Sequence, residues 1–248
     1  MKGRIWLTGD AHHMSMNGTD QILLNKNGFV TTEVELCEPY LEISNQYGFE
    51  PTLFFTGKSV AEESHKIKEL ISKYKFSIGG HTYSAYQPII LSKISKKLVD
   101  SPFLNKKFQY NDIKKTSDVI KNRLGVKINY WRNHAYQSDG YTNNILSKEG
   151  FTRVSNKVDT KLKSFEKIHD NLYSYPINTL PDHENLPHST EHKKGMNPSH
   201  WVDMNVDYVK NIVKEGGIAT LLLHPLCMFL EDEFYFMKKI LSTISKYN

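Results

Sequence analysis

Apolar residues along this chain fall into two alternating patterns. Short apolar-rich segments occur at Ile5–Leu7, Pro51–Gly57, Phe76–Gly80, Val126–Trp131, Phe151–Ser155, Leu172–Ile177 and Ile218–Leu223. They have strand length, and several are rich in aromatic or β-branched residues. The continuity of Pro51–Gly57 predicts a strand covered on both faces, as in parallel sheets. Between them, apolar residues recur at helical spacing, as at Val34, Cys37 and Leu41 or at Ile67, Leu70 and Ile71. This spacing predicts helices over Glu33–Tyr47, Ala61–Tyr74, residues 90–100 and 111–124, Thr142–Lys148, Val206–Lys214 and Phe234–Ser245, with Gly150 as a C-terminal cap. Residues 14–31 and 178–200 carry neither pattern and are expected to be polar loops. Strand and helix alternate throughout, so the predicted class is α/β with a mostly parallel sheet. No linker-like break appears, which predicts one domain over residues 1–248.

Composition narrows the function classes. The net charge of +5 over 248 residues comes from lysines spread along helical surfaces with glutamate interleaved. That distribution fits a solvated surface better than a nucleic-acid groove, although a pI near 8.9 leaves acidic partners open. Cys37 and Cys227 are the only cysteines, far apart and outside any Cys-x-x-Cys pattern, so buried free thiols are expected. Met1-Lys2-Gly3-Arg4 runs straight into a strand with no signal peptide, and no apolar run approaches the ~20 residues of a membrane span. A soluble cytoplasmic protein with no integral membrane segment is the expectation. Oligomeric state is left open.

Where the ionisable residues stand relative to the strands suggests chemistry. The first strand ends in Thr8-Gly9-Asp10-Ala11-His12-His13. Side chains alternate along a strand, so Asp10 and His12 share one face and His13 points away from His12. His81 follows the third strand, Arg132 the strand ending in Trp131, and His224 the strand ending in Leu223. In parallel barrels and open α/β sheets, that C-terminal edge is where sites are assembled. Each residue also has a plainer role open to it: a backbone-satisfied loop histidine at 81, a buried structural histidine at 224, a surface ion pair at 132. Asp182 and His183 follow a further strand at the same edge. His188, His192 and His200 sit in the polar stretch beyond; the stretch could contribute a missing ligand or line a sugar-binding cleft, with His192 and His200 expected to be solvated. Trp131, Tyr136, Tyr86 and Trp201 are candidates to stack on a sugar ring, though aromatics are as often core.

Taken in order, these segments resemble the motifs of polysaccharide deacetylases, the NodB-homology domains of carbohydrate esterases. Leu7-Thr8-Gly9-Asp10 is similar to the first motif and Gly80-His81-Thr82 to the start of the His-[Ser/Thr]-x-x-His motif. Trp131-Arg132-Asn133-His134-Ala135-Tyr136 is similar to the Arg-containing motif, and Leu222-Leu223-His224 to the final Leu-x-x-His. The resemblance implies a distorted (β/α) barrel of about seven units with a divalent metal at its C-terminal mouth, zinc first, with cobalt, manganese or nickel as alternatives. It implies Asp10 as catalytic base, Arg132 as its orienting partner and His224 as acid, with the metal held by His12, His81 and Asp10. Tyr136, His134, Tyr86, Trp131, Asp182 and His183 would bind substrate. Two departures stand out: Ala11 replaces an expected acid, and Ala85 replaces the second histidine of the His-x-x-x-His pair. The implied activity is hydrolytic removal of an N-acetyl or related acyl group from a sugar, as a small molecule or a lipid- or nucleotide-linked precursor, in surface-polysaccharide or O-antigen synthesis. The alternatives are a catalytically impaired, carbohydrate-binding domain on the same fold, or a hydrolase of non-sugar amides.

Overall fold

The computed structural model describes residues 3–16, 28, 30–187 and 195–248. The strands are β1 (Arg4–Ala11), β2 (Thr52–Phe55), β3 (Ser77–Gly80), β4 (Tyr130–Trp131), β5 (Arg153–Val154), β6 (Glu166–His169), β7 (Leu172–Ser174) and β8 (Ile218–Leu222). They form one eight-stranded sheet in the order β6-β7-β5-β4-β3-β2-β1-β8. Every pairing is parallel except the β6–β7 hairpin. The sheet curls into an incomplete barrel. Its central strand β2 is apolar on both sides, as the continuous run at 51–57 predicted: Leu53, Phe54 and Phe55 are all fully buried.

Helices cover the outer face: α1 (Glu33–Gln46), α2 (Gly57–Lys73), α3 (Ile89–Val99), α4 (Lys106–Leu124), α5 (Thr142–Lys148), the single turn α6 (Asp182–Asn185), α7 (Pro198–Lys214), α8 (Pro225–Asp232) and α9 (Tyr235–Ile244). Thr32 and Glu35 form a capping box that fixes the start of α1, and Thr56 caps α2 through the Ser59 N–H. None of the described helices is long and apolar enough to cross a membrane.

The curl leaves a seam beside β8 where, apart from the Ile218 N–H given to the Lys163 carbonyl, side chains make the described bonds. There the Asn178 side chain donates to the carbonyls of Leu162 and Ile218 and accepts from the Thr220 N–H, while the Thr179 hydroxyl donates to the Thr220 carbonyl. Several elements differ from expectation, the turn α6 inside the expected loop among them. Helix α7 begins at Pro198, inside the stretch expected to be loop, because Asn197 caps it and a first-turn proline is pre-set for helix. Pro225 likewise starts α8, a helix for which no expectation was stated, without a side-chain cap from His224. Strand β6 was not foreseen: Glu-Lys-Ile-His is too polar to resemble the other strands, and its pairing partner supplies the structure.

Candidate active site

The parallel register carries the C-terminal ends of β1, β3, β4 and β8 to one mouth. Asp10 is opposite Phe54, Phe54 opposite Gly79, and Gly80 opposite Trp131. Two glycines allow this close stacking. A Cβ on Gly79 would lie 2.4 Å from the Phe54 ring, and one on Gly80 2.5 Å from the Trp131 ring. Above Phe54, 4.4 Å from its centroid, lies the Arg132 guanidinium.

Arg132 is completely buried, and its guanidinium has three fixed protein partners. Nη1 donates to Asp10 Oδ1 at 2.7 Å; Nη2 donates to the hydroxyls of Thr8 and Ser155, each at 3.0 Å. Asp10 is 3 % exposed. Burial alone would push its carboxyl up, but Arg132, then His81 and His224, hold it well below the ordinary carboxylate range. Its second oxygen, Oδ2, faces His224 Nε2 at 3.5 Å and His81 Nε2 at 3.9 Å. Asp10 is therefore an ionised carboxylate with one oxygen tied and the other turned toward the site.

His224 is gripped from behind by Asp182. The Asp182 Oδ2 accepts from the His224 N–H at 2.5 Å, and Oδ1 pairs with His224 Nδ1 at 2.6 Å. Burial opposes the charged imidazole, but Asp182 and Asp10 raise His224 well above the ordinary histidine value. Burial likewise opposes the Asp182 carboxylate, and the His224 charge outweighs it, so Asp182 is shifted downward. The two shifts agree on a charged pair. Asp182 is fully buried behind His224, so it positions that ring and does not reach substrate, contrary to the sequence-based expectation. His183 packs its ring 4.8 Å from the His224 ring.

Beside these pairs, three imidazoles converge. His12 Nε2 lies 3.0 Å from His134 Nδ1, which lies 3.4 Å from His81 Nε2. One ligand atom from each fits within a mutual 4.8 Å. The remaining ring nitrogens of two are already engaged: His12 Nδ1 with Glu33 Oε2 at 2.8 Å, and His81 Nδ1 with the Arg132 carbonyl at 3.0 Å. Those partners hold the rings with Nε2 of His12 and His81 facing His134 Nδ1. The separations of 3.0 and 3.4 Å are close to those of nitrogens sharing one cation: tetrahedral nitrogens bound at 2.0–2.1 Å sit about 3.3–3.4 Å apart. Burial lowers His81 to about 3 and takes His134 well below its ordinary value, so both are neutral imidazoles. For His12 burial is outweighed by Glu33, which raises it.

Sequence reasoning expected Asp10 as the third metal ligand and His134 as a substrate contact. The structure instead puts His134 in the imidazole cluster and leaves Asp10 beside it, tied to Arg132. His134 reaches there from the turn His134–Tyr136, where Ala135 and Tyr136 take φ of 49° and 56°. Thr82, Ala85 and Tyr86 are also at positive φ in the loop after His81. Left-handed conformations in non-glycine residues are costly, and here they gather in two loops bordering one site. His13 points elsewhere, with Nδ1 3.4 Å from the Thr56 hydroxyl.

Two aromatic expectations are corrected. Trp131 is fully buried, its ring against Phe151 and its indole N–H given to Asn133. Strand alternation turns it away from Arg132 and into the core. Trp201 is also core, donating to the Leu180 carbonyl. Tyr86 stays at the mouth, ring 5.8 Å from His134, but its hydroxyl is committed to the Gln137 carbonyl. Tyr136 keeps a buried hydroxyl with no partner among the described residues, and its ring lies 5.8 Å from that of His183. His200 is exposed, while His188 and His192 lie outside the described residues.

Glu33, Thr8 and Ser155 were not foreseen. Thr8 and Ser155 were open to the strand-edge rule, since Thr8 is two residues before Asp10 and Ser155 follows β5. Nothing in the sequence links Glu33 with His12, twenty-one positions away.

Residues 27–154 match the model of the polysaccharide deacetylase family. The chain belongs to that family. It is a hydrolase of C–N amide bonds and a carbohydrate deacetylase by type. Similar folds occur in a structure described as a polysaccharide deacetylase from Mycobacterium smegmatis, which is 13 % identical with a TM-score of 0.73 and covers 98 % of this chain and 84 % of its own. One so described from Pseudomonas aeruginosa PAO1 is 10 % identical with a TM-score of 0.72, covering 99 % and 85 %. A carbohydrate esterase family 4 pseudoenzyme from Bacillus anthracis is 14 % identical with a TM-score of 0.55, covering 98 % and 60 %. No curated protein matches the sequence.

Proposed function

We propose that this deacetylase is metal-dependent and that its metal is held by three imidazoles: His12 Nε2, His81 Nε2 and His134 Nδ1. The observation that carries the reading is their convergence, with the far nitrogens of His12 and His81 already fixed by Glu33 and the Arg132 carbonyl. His134 then makes good the ligand missing at Ala85, and His12 the one missing at Ala11. Zinc suits an all-nitrogen donor set best, with cobalt, nickel and manganese as alternatives. A bound divalent ion would polarise the acyl oxygen and acidify a water at the mouth.

The protein's own groups divide the rest. Asp10, kept ionised by Arg132, takes a proton from the attacking water through Oδ2. Thr8 and Ser155 keep Arg132 from swinging away. His224, kept charged by Asp182, gives its Nε2 proton to the departing amine as the C–N bond breaks and a C–O bond forms at the acyl carbon. Tyr136 offers its unpartnered hydroxyl to the substrate, and His183 lines the same wall. We place the reaction on an N-acylated sugar precursor of surface-glycan synthesis, small or carried on a nucleotide or lipid.

Metal analysis of the purified protein tests this. Wild type should bind about one equivalent of divalent metal, with His81→Ala and His134→Ala binding much less. Metal retained in His134→Ala but lost from Asp10→Asn would return the third ligand to Asp10 and overturn the three-imidazole site. Asp10→Asn should keep metal and lose acyl release from N-acetylated sugars; full activity would exclude Asp10 as base.

A further inference from the structure

Helix α3 is built the wrong way round for a soluble surface. Its apolar residues at helical spacing, Ile90, Leu91, Ile94 and Leu98, are 49–71 % exposed. An amphipathic helix ordinarily turns that stripe into the core. Here the one buried residue of the helix is Ser95, whose hydroxyl bonds the Ser101 carbonyl. Leu104 and Phe108, just beyond the helix, are also more than half exposed. This run of outward apolar side chains is the longest on the described surface, and monomeric proteins rarely carry such patches without use.

Charge indicates the occupant. Residues 89–107 contain five lysines (Lys93, Lys96, Lys97, Lys106 and Lys107), all exposed, against the single acid Asp100. On the helical wheel Lys93 and Lys97 border the apolar stripe. A second copy of this chain would set these lysines against their own counterparts. An anionic bilayer meets both features, taking the stripe among its acyl chains and the lysines at its headgroups.

The helix also stands at the mouth of the site. It begins three residues after Tyr86, whose ring packs 5.4 Å from Phe103 on one side and 5.8 Å from His134 on the other. We propose that α3 with Leu104 and Phe108 is an interfacial docking element that seats the protein on anionic membrane surfaces, with its catalytic mouth beside the bilayer. The docking itself is independent of the acyl chemistry. Only the corollary, that the substrate is a lipid-linked sugar, rests on the reading above.

Vesicle co-sedimentation tests the docking. Phosphatidylcholine vesicles containing phosphatidylglycerol should bind wild type at least tenfold more tightly than pure phosphatidylcholine. Ile94→Glu/Leu98→Glu should abolish binding while thermal unfolding and metal content stay at wild-type values, since both side chains face solvent. Replacing Lys93, Lys96 and Lys97 with Gln should weaken it about tenfold and remove most of its salt sensitivity. No binding of wild type to anionic vesicles, or undiminished binding of the glutamate variant, overturns the proposal. So does a wild-type dimer in light scattering that the glutamate variant converts to monomer, which would make the face a protein interface. Acyl release from a soluble N-acetyl sugar, read on the same glutamate variant, reports separately on the chemistry.

Discussion

Replacing Arg132 with Met should expose how much of the site's stability hangs on one guanidinium. The substitution keeps length and apolar bulk over Phe54 but removes the donors to Asp10, Thr8 and Ser155. Asp10 is left as a buried carboxylate without its strongest partner. Breaking a buried pair in this way costs about 3–5 kcal/mol, a large share of the roughly 5–15 kcal/mol that holds a typical domain together. The loss should depend on pH with a definite sign. In the native protein Asp10 is held well below its unfolded value of about 3.9. It therefore adds stability that is complete above that value and lost as pH falls through the folded value. Without Arg132 the largest lowering influence is gone, so burial pushes the folded value up against His81 and His224. The variant then gains from acidification wherever Asp10 can take up a proton. Urea unfolding in chelator at pH 7.5 and 5.5 should show a deficit of about 3–5 kcal/mol at the higher pH, clearly smaller at the lower. Asp10→Asn/Arg132→Met should recover much of it. A deficit below about 1 kcal/mol, or one identical at both pH values, would show that Asp10 is not the buried charge Arg132 neutralises.

Three further outcomes follow from the same geometry. Glu33→Gln, which loosens the outer nitrogen of His12, should weaken zinc binding about 10–100-fold in competition with a chromophoric chelator; unchanged affinity would detach Glu33 from the metal site. Asp182→Asn should lower kcat about 10²–10⁴-fold and move the alkaline limb of its pH profile downward, with KM little changed because Asp182 is buried behind His224. A variant with wild-type kcat would remove His224 as the acid. Asp112, raised to about 7 by burial despite accepting the Tyr83 N–H, makes folding less favourable as pH rises from about 4 toward 7. Asp112→Asn should therefore flatten that decline in thermal-unfolding scans between pH 5 and 8, and an unaltered slope would contradict the assignment.

The sheet and the mouth were legible because both depend on patterns short enough to read locally. Apolar-rich segments marked the strands, the continuous one at 51–57 a strand buried on both faces, and Asp10, His81, Arg132 and His224 declared themselves by following those segments. What escaped depends on distance or on turns. His134 joins His12 and His81 only because the chain after β4 turns back through two left-handed residues, and no spacing rule anticipates that at Ala135 or Tyr136. Glu33 meets His12 because α1 packs across β1. Trp131 was misassigned although alternation along its own strand opposes it to Arg132. The outward face of α3 was invisible for the opposite reason: its sequence is that of an ordinary amphipathic helix, and only the three-dimensional structure shows the stripe turned to solvent.

The seam beside β8 gives the His224–Asp182 pair a second office. His224 extends from β8, while Asp182 follows the segment 177–180 on the far side of the gap, where side chains replace a backbone ladder. The two bonds from His224 to Asp182 therefore work as a clasp across the seam beside β8. The three imidazoles hang from β1, β3 and the turn after β4, among the paired strands. On the proposed mechanism, a His224 that has given up its proton keeps the backbone bond to Asp182 but loses the charge that strengthens the ring bond, so the clasp slackens as the acid is spent.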